Sequence, residues 1–283
     1  MIQVEEQDGV RKFRLARTLL GRAMYYTAAY WVDGLMIDTG CAYTVPELIS
    51  AMEGIPVRHI VNTHTHEDHI GANAALKRRS GAGISVHPSG IPVLAESRKE
   101  KHLRPYQRIM WGYPEPSEGT AIGTKVETGK HLFQVIHTPG HSPDHICLYE
   151  PYRGWIFSGD AYVGGRDRAL RADYNIWQIV ASLKTLAALK SERLFSGSGS
   201  VRENPQADFK EKIQYFEEIG DQIWALRTRG WGYSRIRRRV FGREIPLAYI
   251  TLGNFSGRHL VRSFIEDRLE SFQKGARIKP PLT

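Results

Sequence analysis

Of 283 residues only two are cysteine, Cys41 and Cys147, each alone in an apolar setting, and no C-x-x-C pair occurs. That scarcity excludes a disulfide framework and a thiolate zinc site, and it predicts two buried, reduced thiols. No apolar run approaches the eighteen or so residues of a membrane span, and the opening "MIQVEEQDGVRKFRL" lacks the apolar core of a signal peptide. A cytoplasmic protein with no membrane partner is expected. Internal repeats and low-complexity tracts are missing too. So is the helical zinc signature H-E-x-x-H, because Glu67 follows His66 but position 70 is Ile.

What is present is 41% hydrophobic content over 283 residues, enough for one large domain or a core domain with an appendage. The net charge of +9 is uneven. Residues 202–283 hold 16 Lys plus Arg against 10 Asp plus Glu, whereas the first 201 hold 23 against 20. The knot "RIRRRVFGR" reads first as a solvated helix face, and second as a surface for nucleic acid or an acidic ligand.

Strand-like runs separated by turn residues fill the first part of the chain: "AAYWV", "GLMID", "HIVN", "GISVH", "FQVIH", "HICLYE", "WIFSG" and "RLFSG". Helical spacing appears in "VPELISAME", in "IGANAALKRR" and in "NIWQIVASLKTLAALKS", where Ile176, Ile179, Leu183, Leu186 and Leu189 share a face. Strands and helices interleave, which predicts an α/β fold with sheets covered by helices. Residues 88–120 form a basic, aromatic, proline-bracketed insert between two strands, a lid or pocket wall. From about residue 205 the strands stop and three helices follow, so the expected division is a catalytic domain over 1–204 and a basic helical extension over 205–283.

The densest chemistry is "NTHTHEDH", residues 62–69, with three histidines and two acids in eight positions. Crowded neutral imidazoles gain little from packing, and a metal ion resolves that cost. Asp68 and His69 come as helical spacing begins, so they are expected at or just before a helix N-terminus. Three further motifs lie at strand ends: "HTPGHSPDH" at 137–145, with Pro139 and Gly140 forcing a turn before His141, "FSGD" ending at Asp160, and "LFSGSG" ending at Gly199. Polar groups at the C-terminal mouths of apolar strands are where α/β layouts build sites.

This ordered set, H-x-H-x-D-H, then a T-P-G-H turn, then a strand ending in G-D, resembles the metallo-β-lactamase fold superfamily of glyoxalase II and lactonase types, over roughly residues 30–200. The resemblance implies a four-layer αββα sandwich with a metal pair between two sheets. It implies that His64, His66 and His141 hold one metal, that Asp68 and His69 serve a second, that Asp160 bridges them, and that Asp38 of "IDTG" supports the ligands from behind. At the position where many such hydrolases have a last histidine ligand, this chain has Ser198, a weaker zinc ligand than imidazole. One firmly bound zinc follows, with the second position open and iron or manganese as alternatives.

The expected activity is metal-dependent hydrolysis of a small ester-like substrate, a thioester or lactone, with Asp68 orienting the attacking hydroxide or passing a proton to the leaving group. Asp144 and His145 are expected to fix the orientation of neighbouring ligands. Tyr162, Arg104, Tyr106, Arg108 and Trp111 are the candidate contacts for an anionic substrate. Two rival readings stand: a nuclease acting on RNA through the basic tail, and a non-catalytic binding or regulatory protein. The tail, with its single histidine His259, is alternatively a cover for the site or a homodimer interface.

Overall fold

The computed structural model describes residues 1–273, with side chains through Glu266; residues 274–283 of the basic tail lie outside the described residues. The chain forms two compact units. One comprises residues 1–139, 143–163 and 190–205, the other residues 140–142, 164–189 and those from 206 on.

The first unit is built on two mixed sheets. In the seven-stranded sheet the order is Ile2–Gln7, Val10–Leu15, Thr27–Val32, Leu35–Ile37, His59–Val61, Gly83–Val86 and Thr120–Ala121. The first four strands run antiparallel and the last four parallel. Two aspartate–glycine pairs make the hairpins. Asp8 and Gly9, at φ 54° and 81°, and Asp33 and Gly34, at 47° and 87°, take the left-handed conformations that match a tight turn to strand twist. The second hairpin joins strands expected from sequence. The first, Ile2–Gln7 with Val10–Leu15, goes beyond the strands that the apolar runs predict, although Asp8–Gly9 is its signal.

The six-stranded sheet runs Lys125–Glu127, Leu132–His137, Ile146–Glu150, Trp155–Gly159, Arg193–Ser196 and Val201–Glu203. Only Trp155–Gly159 and Arg193–Ser196 pair in parallel. Val10, Ala28, Tyr30, Val32, Leu35, Ile37 and Val61 of the first sheet form one buried cluster with Phe133, Ile146, Leu148, Trp155, Phe157 and Phe195 of the second. Strands such as Leu35–Ile37, Ile146–Glu150 and Trp155–Gly159 are buried throughout, which is why their sequences read as unbroken apolar runs. The other face of the first sheet packs Met36, Ile60 and Ile84 against Leu48 of helix Val45–Ala51 and Leu76 of helix Asn73–Ser80. Cys41 and Cys147 are free and buried, and burial pushes the Cys147 thiol up to about 12.

The second unit has its own apolar interior, with Phe209, Phe216, Ile223, Ile236, Leu260 and Phe264 buried. It contains helix Ile176–Ala187, capped by the Asn175 side chain, which accepts from Gln178 N at 2.8 Å. Ile176, Val180, Leu183 and Leu186 are its buried apolar residues; Ile179 and Leu189, expected on the same face, are half-buried. Helices Pro205–Thr228, Tyr233–Phe241, Pro246–Ile250 and Gly257–Gln273 follow. Strands do not stop at 205: Phe255–Ser256 pairs with Leu170–Arg171. No helix among the described residues is long and apolar enough to cross a membrane.

Candidate metal centre

Parallel pairing puts strand ends together. Leu35–Ile37 and His59–Val61 run parallel, so Asp38 and the segment 62–69 leave the first sheet on one edge. Trp155–Gly159 and Arg193–Ser196 do the same for Asp160 and the turn 197–200 in the second sheet. The two edges are tied: Ile146 N donates to Thr63 O at 2.7 Å, Ala28 N to Gly197 O at 2.6 Å, and Tyr30 OH to Ser196 O at 2.6 Å. His141 belongs to a short turn held by its own flanks, since Thr138 N donates to His145 O at 2.9 Å between two paired strands.

Two sets of ligand atoms result, each with all members within 4.8 Å of one another: His64, His66 and His141, and His64, His69 and Asp160. His64 and His69 are fully buried. Asp68 belongs to neither set. Its Oδ2 lies 3.9 Å from His69 Nε2 and accepts the Thr27 hydroxyl at 3.0 Å. Helix Asn73–Ser80 starts later than the sequence suggests, so Ile70–Ala72 separate His69 from it. Gly71 explains the delay: its N–H donates to Gly40 O at 2.7 Å, and a Cβ there would come within 2.2 Å of the Cys41 backbone.

Asp38 orders the histidines. Its carboxylate accepts Thr63 N–H at 2.8 Å, the Thr63 hydroxyl at 2.7 Å and His69 Nδ1–H at 2.8 Å. With its proton spent on Asp38, Thr63 Oγ1 is the acceptor for His64 Nδ1–H at 3.1 Å. Both rings are thereby oriented with Nδ1 held and Nε2 left as the nitrogen a metal would take. His69 Nε2 is buried without a hydrogen-bond partner, 3.6 Å from Asp160 Oδ1. His64 Nε2 and His66 Nδ1 lie 3.0 Å apart. Imidazole nitrogens turned together beside buried carboxylates suit a shared cation.

The electrostatics agree. Burial pushes the Asp68 carboxyl up to about 6, against the pull of His69. Burial alone would lower the pKa of His69, but Asp38, Asp160 and Asp68 drive it well above the usual imidazole range. That much negative charge packed around one ring calls for a positive charge. His145 contrasts with His69: burial holds its pKa down to about 4, so it is neutral. Its Nδ1–H donates to Thr138 Oγ1 at 2.8 Å, and its Nε2 accepts Asp160 N–H at 3.1 Å. His145 therefore orients the Asp160 backbone. Asp144 accepts Thr65 N–H at 2.9 Å and the Thr65 hydroxyl at 2.7 Å, pinning the segment between His64 and His66.

The insert braces the same segment. Lys101 Nζ donates to Thr65 O at 2.7 Å and Gln107 Nε2 to buried Glu67 at 2.7 Å. Of the insert residues expected to meet substrate, Arg104 and Arg108 are exposed, Tyr106 is buried, and Trp111 is half-buried with its ring edge-on to Tyr25 at 5.9 Å. Tyr162 is buried. Ser198 bonds Ser196 Oγ at 3.0 Å and joins neither ligand set, nor does His259, whose Nε2 meets Gly253 O at 3.1 Å. Sequence reasoning misses Thr27, Gln107 and Tyr174, whose hydroxyl lies 3.3 Å from His141 Nε2.

Two glycines set where Asp160 sits. A Cβ on Gly159, at φ 46°, would meet Thr63 Oγ1 at 2.6 Å, and one on Gly197 would meet Asp160 Oδ1 at 2.1 Å. Gly197→Ala is expected to displace Asp160 and to destabilise the fold by about 1–3 kcal/mol, the usual cost of overpacking. Chemical denaturation in the presence of chelator measures the loss without a contribution from metal.

The sequence profile of the Metallo-beta-lactamase superfamily matches residues 25–198. A hydroxyacylglutathione hydrolase of Thermosynechococcus vestitus is 34% identical over 112 residues, 40% of this chain and 37% of that protein. A Drosophila melanogaster protein named beta-lactamase-like protein 2 homolog is 27% identical over 204 residues, 67% of this chain and 62% of that one. The matched parts thus span less than two thirds of either relative. Among solved structures, a metallo-beta-lactamase family protein from Thermus thermophilus aligns with a TM-score of 0.67 at 16% identity, covering 97% of both chains. A beta-lactamase domain protein from Burkholderia ambifaria aligns with a TM-score of 0.71 at 16% identity, covering 98% of this chain and 90% of that one. These likenesses give the fold, two mixed sheets flanked by helices with further helices after them. With the profile spanning the strands that carry His64, His66, His69, His141 and Asp160, the chain belongs to the metallo-β-lactamase superfamily.

Proposed function

We propose that this protein is a metal-dependent hydrolase of small ester-like substrates, a thioester or a lactone. The observation that carries the reading is the pair of ligand sets sharing His64, with His69 Nε2 of the second set buried, making no hydrogen bond and facing Asp160 and Asp68. The relatives named hydroxyacylglutathione hydrolases support hydrolysis as the reaction class. His64, His66 and His141 would hold one ion, and His69, Asp160 and Asp68 a second; zinc suits imidazole and carboxylate donors, with iron or manganese next. When bound, such an ion supplies Lewis acidity and water acidified to a pKa of about 7.

The remaining work falls to the chain. Asp38 keeps His64 and His69 in one tautomer through Thr63 and directly. Thr27 holds Asp68 Oδ2, fixing that carboxyl where it orients the attacking water or receives its proton. His145 and Gly197 hold Asp160 at the strand mouth.

Panels of thioesters, lactones and phosphodiesters, assayed with and without chelator, test the proposal. Turnover of a thioester or lactone is expected, lost with chelator and regained with zinc. Full metal occupancy with no turnover on any panel would favour the binding-protein reading. Cleavage of RNA alone, falling steeply with salt, would favour the nuclease.

A further inference from the structure

The first unit contains an open cavity of about 530 Å³ lined by Arg14, Tyr25, Tyr26, Val163 and the turn Ser198–Ser200. Three of its walls continue directly into the metal centre. Tyr26 precedes Thr27, which bonds Asp68; Val163 lies just past Asp160; Ser198 follows Gly197, whose α-carbon abuts Asp160. The cavity and the centre are thus built from the same chain segments.

Arg14 is its only charged lining residue. The stem lies on Gly199, where an added Cβ would meet Arg14 Cγ at 2.7 Å, and the guanidinium sits 4.4 Å from the centre of the Tyr26 ring. One nitrogen, Nη1, bonds Gln3 Oε1 at 3.0 Å, while Nε is buried and hydrogen-bonded to nothing. Among the described residues no carboxylate pairs with Arg14, although its strand neighbours Arg11 and Lys12 are both paired with glutamates. The cavity thus carries one held but unanswered positive charge, hydroxyls from Ser198 and Ser200, and an aromatic and apolar wall from Tyr25, Tyr26 and Val163.

We propose that this cavity receives a carboxylate carried by the substrate: Arg14 takes the charge, Ser198 and Ser200 bond its oxygens, and the acyl body lies along Tyr25 and Tyr26 toward the metal centre. The one guanidinium balances the charge of a carboxylate monoanion but only half that of a dianionic phosphate. Ser198 then has work of its own, at the position where relatives of other types carry a metal-binding histidine. The proposal rests on the hydrolase reading and narrows it to acyl groups ending in a carboxylate.

The test compares the phenyl thioester of succinic acid with the methyl ester of the same compound, which differs only in lacking the charge, by following thiophenol release. Arg14→Gln is expected to lower the acid-to-methyl-ester ratio of kcat/KM by about 10- to 100-fold, mainly through KM, the range for losing a hydrogen-bonded charge partner. Arg14→Lys should fall between, and metal content should not change. A ratio unmoved by Arg14→Gln in a folded, metal-loaded protein overturns the proposal. If neither thioester is cleaved by the unaltered protein, the hydrolase reading fails for this class, and calorimetric binding of succinate decides the cavity on its own. Succinate binding weakened 10- to 100-fold by Arg14→Gln upholds it; equal or absent binding, or tighter binding of inorganic phosphate than of succinate, overturns it.

Discussion

His64→Ala is expected to empty the three-histidine set, because only His66 and His141 then remain to hold its ion, and to disturb the second set, of which His64 is also a member. Loss of His66 or His141 leaves His64, His69 and Asp160 in place, and loss of His69 leaves the three-histidine set. Only His64 belongs to both. Its ring is fully buried and its Nδ1–H is engaged with Thr63, so no other side chain can swing in to replace it without repacking. If the ion contributes several kcal/mol to the transition state, and each 1.36 kcal/mol is tenfold, turnover should fall by roughly a thousandfold. The apoprotein fold should survive, since the sandwich interior contains none of these histidines. Elemental analysis alongside circular dichroism separates loss of metal from loss of fold.

Asp38→Asn should do nearly as much without touching a ligand. The carboxylate accepts three hydrogen bonds, from Thr63 N–H, the Thr63 hydroxyl and His69 Nδ1–H. An amide has one acceptor oxygen, and its NH2 must face at least one of those donors. His69 is then driven to protonate Nε2, the atom meant for metal, and the Thr63 hydroxyl loses the acceptor that turned its lone pair toward His64. Removal of such supporting carboxylates weakens metal binding by about 10- to 100-fold. Competition with a chromogenic chelator reads this directly, and the loss should exceed that of Asp144→Asn, which holds the backbone and hydroxyl of Thr65 but no histidine.

The sequence is legible where chemistry and burial are local. Apolar runs predict every long strand of the sandwich except the N-terminal hairpin, whose strand Ile2–Gln7 is largely exposed and so carries no apolar run. Its one signal is the Asp8–Gly9 turn. Histidines packed at 64–69 announce a metal, but their grouping with His141 and Asp160 comes only from family resemblance, because no periodicity links residues so far apart in the chain. Asp38 is legible in the same way.

What stays hidden depends on contacts made only after folding. Thr27 reaches Asp68 across 41 residues and Gln107 reaches Glu67 across 40. Gly197 looks like an ordinary turn glycine in the sequence, and only the fold sets Asp160 against it. Arg14 is one charge among many in a basic chain, and its lack of a carboxylate partner is a property of neighbours, not of sequence. The pairing of Leu170–Arg171 with Phe255–Ser256 joins two-residue strands that are too short to show alternation.

The most direct test of a buried metal centre is the metal-to-chain ratio of protein purified from metal-supplemented medium without chelator, then dialysed. The unaltered protein should keep at least one transition metal per chain, and His64→Ala, purified in parallel and still folded, should keep at least one ion fewer. Metal-free unaltered protein that is fully folded, or His64→Ala that retains the same metal content, would contradict the account.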